Sequence, residues 1–249
     1  MLIVLSAMLI FLILIICGDK GSKTIVTTGI SIVLTLFSIY LIYLGIPPVP
    51  VMFALASSSS CFIILFQNDF SRKAKVELLS SLIVILCMIP VIYGIACGSL
   101  THGFIKESYE ITDSNGFSRN IGLNMFPVQI SILIVAMTGV VIDSSVAVTS
   151  SIYEIKFSNP HLSNNKLLRS GIHVGKAILN TSIHTIFYVY LAEYLTLIIQ
   201  YCREISFAEM LNSKSFTQGI ISISISGIAC CLIIPVSALL AVFSLRNEY

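Results

Sequence analysis

Residues 124–150 read NMFPVQISILIVAMTGVVIDSSVAVTS, an apolar run of bilayer-spanning length in which Asp143 is the single charged residue. The nearest charges on either side are Arg119 and Glu154. A carboxylate at the centre of a membrane helix costs about 3 kcal/mol on insertion scales, so membrane proteins normally keep one only where it faces protein and has a function. The run therefore predicts a transmembrane helix and makes Asp143 the first candidate functional residue.

The composition extends this prediction to the whole chain. Of 249 residues, 56% are hydrophobic and 10% are charged, and the mean hydropathy is +0.97. An ordinary soluble domain has about a quarter of its residues charged. We therefore expect an all-α, polytopic transmembrane bundle of about seven helices that forms a single transmembrane domain over residues 1–249. The seven predicted helices are approximately 1–17, 24–44, 49–66, 77–99, 124–150, 174–199 and 218–243.

The first apolar run is predicted to be a retained helix rather than a cleaved signal peptide. Met1 is followed directly by LIVLSAMLIF, with no basic segment before it, and no A-x-A-like cleavage site precedes Gly18. None of the loops between the runs reaches the roughly 50 residues of a small independent domain. The activity of the chain is therefore expected to lie in the membrane.

The distribution of basic residues predicts the orientation. Alternate loops and helix ends divide the fourteen basic residues into a set of ten and a set of four. The positive-inside rule places the larger set in the cytoplasm, with the N-terminus outside and the C-terminus inside. The larger set is Lys20, Lys23, Arg72, Lys73, Lys75, Lys156, Lys166, Arg169, Lys176 and Arg246, and the smaller is Lys106, Arg119, Arg203 and Lys214.

Common catalytic and cofactor motifs are absent from the sequence. It contains no GxxxxGK[ST] loop for nucleotides, no HExxH pair for a metal and no GxSxG elbow. We therefore expect no enzymatic activity, no cofactor and no metal site. The seven cysteines show no CxxC spacing and are expected to pack as small apolar residues without disulfides. The net charge of +2 gives no indication of nucleic-acid binding.

One face of the fifth predicted helix combines small residues with Asp143. Residues at helical spacing on this face are Ala136, Gly139, Asp143, Ala147, Ser150 and Glu154. Small residues in this register let another membrane helix approach closely. We therefore expect Asp143 to face protein. The alternatives are that it reaches the inner headgroups or only hydrogen-bonds a neighbouring helix.

The sixth predicted helix carries a polar stripe and a close-packing motif. The stripe consists of His173, Ala177, Asn180, His184 and Tyr188. Gly171 and Gly175 form a small-xxx-small pair at the cytoplasmic start of the helix. Asn180 and His184 lie about 7 and 13 Å inward of Gly175, close to the depth of Asp143. Asp143 and His184 could form a proton-transfer pair or a static interhelical hydrogen bond, and depth alone does not choose between them.

From Gly18 onward the chain resembles the YibE/F family of bacterial multi-pass membrane proteins. The strongest stretch is GVVIDSSVAVTSSIYEIKFSNPHLSNNKLLRSGIHVGKAILNT, residues 139–181. The short chain is similar to the YibF type, which implies a membrane partner of the YibE type. Members often have an acidic residue where this chain has Ala177, and Asn-Thr-Leu in place of the His184-Thr185-Ile186 segment.

The same stretch resembles, more faintly, the paired helices of SecD/SecF and other RND-type permeases. Gly139, Asp143 and Glu154 follow the spacing seen there, as do Gly171 and Thr185. In that group the intramembrane aspartate implies proton coupling.

We therefore expect a subunit of a transporter or translocation-type assembly in the bacterial plasma membrane, surrounded by lipid. Asp143 would be the coupling carboxylate, with Asn180, His184 and Thr185 as polar neighbours. The main alternative is a non-transporting scaffold whose small-residue faces dock a YibE-type partner, and an intramembrane enzyme comes third. Homo-oligomerisation remains open.

Overall fold

The computed structural model describes residues 1–67, 70–99, 101–103 and 123–246, and their regular secondary structure is α-helical. The predicted all-α, polytopic helix bundle is confirmed, and six of its helices are long and apolar enough to cross a membrane. The helices are α1 (Leu2–Tyr43), α2 (Pro48–Gln67), α3 (Arg72–Ser99), α4 (Met125–Ser158), α5 (Asn164–Glu204), α6 (Phe207–Leu211) and α7 (Lys214–Arg246).

The first two predicted helices follow each other without a loop and meet at a kink. Helix α1 runs through both, with a break at Gly18, whose φ of 53° and ψ of −126° lie outside the helical region. The bend is sharp, because a Cβ placed on Gly21 would lie 2.5 Å from the carbonyl oxygen of Ile13. The segment GDKGSK at 18–23 is polar but contains no proline, so helical hydrogen bonding resumes directly after the glycine. The two predicted helices therefore correspond to the two arms of α1, which meet at a kink at Gly18.

Several helices extend beyond the apolar runs that predicted them. Helices α4 and α5 have 34 and 41 residues, or about 51 and 61 Å, whereas the hydrocarbon core is about 30 Å thick. Helix α3 likewise begins at Arg72, before the predicted boundary at residue 77. Hydropathy detects only the part of a helix that lies in lipid, so the polar ends were missed.

Helices α3, α4 and α7 form the centre of the bundle, with α2 and α5 beside them and α1 packed on α2. Their core contacts are made by fully buried aliphatic and methionine side chains. Helix α5 contributes few buried residues: Leu167, Gly171 and Gly175. Much of α5, and one face of α4, is therefore exposed on this chain. The central core includes Ile85, Met88, Leu133, Ile134, Met137, Ile225 and Ile233.

Candidate functional site

The face of α4 that carries Asp143 is turned away from the core of this chain. Ala136, Gly139 and Asp143 are exposed, whereas the adjacent Ser144 and Ser145 are fully buried. A Cβ added to Gly139 would meet no atom within 4 Å. We refer to Ala136, Gly139 and Asp143 as the open face of α4.

Two cavities border the open face. On one side, Gly139 lines a cavity of about 180 Å³ together with Thr35 of α1 and Ser59 of α2. On the other side, Ala136 lines a cavity of about 610 Å³ together with residues of α5 and α7, among them Thr185. The open face is therefore the floor of a groove with α1 and α2 on one side and α5 on the other.

The polar stripe of α5 is also exposed. Asn180 and His184 point away from the bundle, because they lie roughly opposite Ser182 and Ile186 on the helix, at 100° per residue. No hydrogen bond or ion pair joins Asp143 to His184 within the described residues. Thr185 donates a 2.9 Å hydrogen bond to the carbonyl oxygen of Thr181 in its own helix. Within one chain, Asp143 and His184 therefore do not form a bonded pair.

Gly171 and Gly175 lie where α5 approaches its neighbours within the chain, and both are buried. A Cβ on Gly171 would lie 2.5 Å from Cδ1 of Ile152 in α4. A Cβ on Gly175 would overlap Cγ2 of Ile234 in α7. Ala147 on α4 is half-buried. The two glycines thus allow α5 to pack on α4 and α7 of the same chain.

A second carboxylate, Glu77, is buried in the helix bundle and was not predicted from the sequence. Its side chain is 0% exposed, and Lys73 Nζ lies 3.9 Å from its Oε1. Its backbone carbonyl accepts hydrogen bonds of 2.9 Å from the hydroxyls of Ser80 and Ser145. Glu77, Ser80 and Ser81 share a helix face at i, i+3 and i+4, a signal that was available in the sequence. Glu77 was overlooked because the predicted helix began at this residue.

Ser144 continues the polar contacts from α4 to α7. Its Oγ lies 3.2 Å from Sγ of Cys230, and Ser182 of α5 lies beside that thiol. All seven cysteines are free. In the part of the chain that the structure describes, no group of three or more His, Cys, Asp or Glu side chains could hold a metal ion.

The long apolar helices, and a carboxylate placed among them, define a multi-pass α-helical membrane protein. The chain belongs to the YibE/F-like protein family, whose sequence profile matches residues 5–247. The match extends the resemblance, first seen from Gly18, nearly to the N-terminus. No curated protein and no solved structure matches the chain. Nothing in these comparisons supports the fainter resemblance to SecD/SecF and RND-type permeases.

Proposed function

We propose that this chain is one subunit of a transporter or translocation-type assembly in the bacterial plasma membrane, with Asp143 as its proton-coupling carboxylate. One observation carries the proposal: Asp143 is exposed on the surface of the single chain, in the middle of a membrane-spanning helix. A monomer in lipid would leave this carboxylate against hydrocarbon.

The position of Asp143 along α4 argues against contact with the headgroups. It lies 19 residues from Asn124 and 7 from Ser150, the ends of the apolar run, or about 28 and 10 Å along the helix axis. An aspartate side chain is too short to bridge such distances by snorkelling, in contrast to lysine or arginine near a helix end. The open face therefore needs a cover of protein or water.

A partner helix fits the open face better than lipid does. Gly139 has open space above it, and Ala136 has a side chain of one carbon, so another helix can approach closely. The family resemblance suggests a YibE-type chain as the partner, and a second copy of this chain is the alternative. Covered in this way, Asp143 would lie at a subunit interface.

A carboxylate at such an interface has the properties that proton coupling requires. When the partner covers it, the carboxyl group favours its neutral form, because desolvation disfavours the charge. Opened to water, it can release the proton. Two arrangements of the partner would then differ in the protonation of Asp143, which links proton movement to a change of shape.

The scaffold hypothesis is the second candidate, and the open space at Gly139 favours it equally. Close packing on Gly139 requires no titration of Asp143. In that case Asp143 would only hydrogen-bond the partner.

Asp143→Asn and Asp143→Glu distinguish the two candidates. Asn preserves shape and hydrogen bonding but removes the titrating proton, whereas Glu preserves the titration and shifts its position. The assay is pH-gradient-driven flux in vesicles that contain the chain and its co-purified partner. Glu204→Gln is the control, since Glu204 is an exposed carboxylate at the last residue of α5 and lies outside the open face of α4.

Under the transport proposal, Asp143→Asn abolishes flux while the complex still purifies, and Asp143→Glu keeps part of the flux. Wild-type flux in Asp143→Asn would show that Asp143 does not couple protons. The scaffold hypothesis would then remain.

A further inference from the structure

The larger cavity lies beside the contact between α5 and α7. Near the cytoplasmic end, Gly175 packs on Ile234. Further along, the ring of Tyr190 packs on Gly219, and its hydroxyl donates a 3.2 Å hydrogen bond to the carbonyl oxygen of Phe216. Beside the Tyr190 contact, α4, α5 and α7 border an open cavity of about 610 Å³. This volume lies in the range of small-molecule sites, about 300–1,000 Å³.

One end of the cavity is polar and carries a carboxylate and two aromatic rings. Glu193, Tyr190 and Tyr194 lie within one helical turn of each other on α5, and all three line the cavity. The two tyrosine rings have centroids 4.6 Å apart and an interplanar angle of 34°. Glu193 is exposed, and no basic side chain among the described residues forms an ion pair with it.

A pair of glutamines completes this polar end. Gln218 lines the cavity, and its Nε2 donates a 2.8 Å hydrogen bond to Oε1 of Gln129. Gln129 is 3% exposed, and its own Nε2 has no hydrogen-bond partner. The polar end therefore offers a negative charge, aromatic faces and an amide.

The remaining wall is mostly aliphatic. Val140 of α4 and Ile186 and Val189 of α5 line it. The hydroxyl of Thr185 is already bonded to its own helix, so it adds little polarity. Ser222 of α7 contributes a small side chain and leaves room for an apolar ligand body.

We propose that this cavity binds an amphipathic organic cation. Its positive centre lies between the Glu193 carboxylate and the ring faces of Tyr190 and Tyr194, and its apolar body lies along Val140 and Val189. Aromatic faces attract cations through the ring quadrupole, and a carboxylate adds charge complementarity. The same chemistry is offered by a free apolar cation and by an aminophospholipid.

The location of the cavity connects it with Asp143. Val140 lies three residues before Asp143 on α4, about 4.5 Å along the axis. The proposal that the cavity binds a cation is independent of the proposed transport. The further step, that this cation is the transported species, rests on that function.

The test uses the full chain in dodecyl maltoside, an uncharged detergent, with radiolabelled tetraphenylphosphonium as the probe in equilibrium dialysis. Saturable binding to the wild type is expected. Glu193→Gln should weaken it about tenfold or more, because the charge partner is lost. Glu204→Gln is the matched control, an exposed glutamate on the same helix outside the cavity, and should bind as the wild type does.

A second variant fills the cavity without touching its charge. Ser222→Phe should abolish binding while Glu193 is retained, and thermal unfolding checks that this variant is folded. The two sources of the cation are separated by competition with phosphatidylethanolamine. The site is assigned to the lipid by two results together. Phosphatidylethanolamine displaces the probe, and native mass spectra show this lipid retained by the wild type and lost from Glu193→Gln. Binding that the lipid leaves unchanged assigns it to a free cation.

Equal binding of the probe by wild type and Glu193→Gln would overturn the proposal. The absence of both saturable probe binding and lipid retention in the wild type would do so as well. Neither outcome depends on flux or on a partner, so failure here is distinct from failure of the transport proposal.

Discussion

The hydroxyl of Ser145 on α4 donates a 2.9 Å hydrogen bond to the backbone carbonyl of Glu77 on α3. The same carbonyl accepts a hydrogen bond from the hydroxyl of Ser80, whose Oγ lies 2.7 Å from that of Ser145. Both serines are fully buried, so neither lipid nor water replaces these bonds. The contact fixes the rotation of α4 against α3, and it thereby turns the adjacent Asp143 outward.

Replacing Ser145 with alanine should lower the free energy of unfolding by about 0.5–1.5 kcal/mol, the usual range for an interhelical hydrogen bond in a membrane. Titration with sodium dodecyl sulfate measures this loss. Ser151→Ala is the control, because among the described residues Ser151 bonds only the carbonyl of Ala147 in its own helix, at 2.8 Å. Equal losses in both variants would show that the link to Glu77 adds no stability.

Leucine at Gly171 or Gly175 should destabilise the folded chain, because the new side chain would occupy the positions of Ile152 or Ile234. Overpacking of this kind costs about 1–3 kcal/mol. The Cβ of Gly139→Leu would meet no described atom within 4 Å, and the cavity beside it holds about 180 Å³, so its unfolding should be close to that of the wild type. Under the proposed function it should instead weaken co-purification with the partner.

Thermal unfolding and pull-down of the three variants distinguish Gly171 and Gly175, which pack within the chain, from Gly139, which is proposed to contact the partner. A stable Gly171→Leu chain would contradict the intrachain contact. A Gly139→Leu chain that retains its partner fully would remove the open face of α4 as the interface.

Hydropathy was sufficient to predict the number of apolar segments and the helical class. It could not predict how sharply the chain bends between the first two helices, because the bend depends on the dihedral angles of Gly18. Polar extensions such as the start of α3 at Arg72 also gave no hydropathy signal.

Helix rotation was the main feature that the sequence left undetermined. Lipid and protein interior are both apolar, so the faces of a membrane helix differ little in hydrophobicity. Asp143 was expected to face protein, but it is exposed on this chain, whereas Glu77 is buried. Size rather than polarity was the useful signal at Gly171 and Gly175, because close helix contact requires small residues.

The pH dependence of the short helix α6 should follow Glu209. Its carboxylate accepts hydrogen bonds of 2.9 and 2.8 Å from the backbone N–H and the hydroxyl of Ser206. These bonds hold the pKa of Glu209 below its ordinary value. The stabilisation is therefore complete above the ordinary pKa and is lost as the pH falls through the lowered one.

Hydrogen exchange at Met210, corrected for intrinsic rates, measures this loss, since its amide donates to the carbonyl of Ser206 within the capped turn. Protection should fall in acid in the wild type. Glu209→Gln, which has no titrating group, should show no such step. An identical acid step in that variant would assign the pH dependence to another group.

The break at Gly18 makes the number of membrane crossings a testable property of α1. Each arm, residues 2–17 and 19–43, is long enough to cover much or all of a hydrocarbon core of about 30 Å. Lys20 and Lys23 directly follow the break, and the positive-inside rule favours placing them in the cytoplasm. We therefore expect the arms to cross separately, with both the N-terminus and the turn at Gly45 outside.

Accessibility tags at the N-terminus and between Gly45 and Ile46 should then label from the same, external side. A tag after Lys166 should label only after the membrane is permeabilised, because it follows the basic set assigned to the cytoplasm. Gly18→Ala tests the break itself. The added Cβ has open space, but the positive φ at residue 18 is unfavourable for alanine. If the N-terminal and Gly45 tags label from opposite sides in the wild type, α1 crosses once, and the predicted orientation of the N-terminus is wrong.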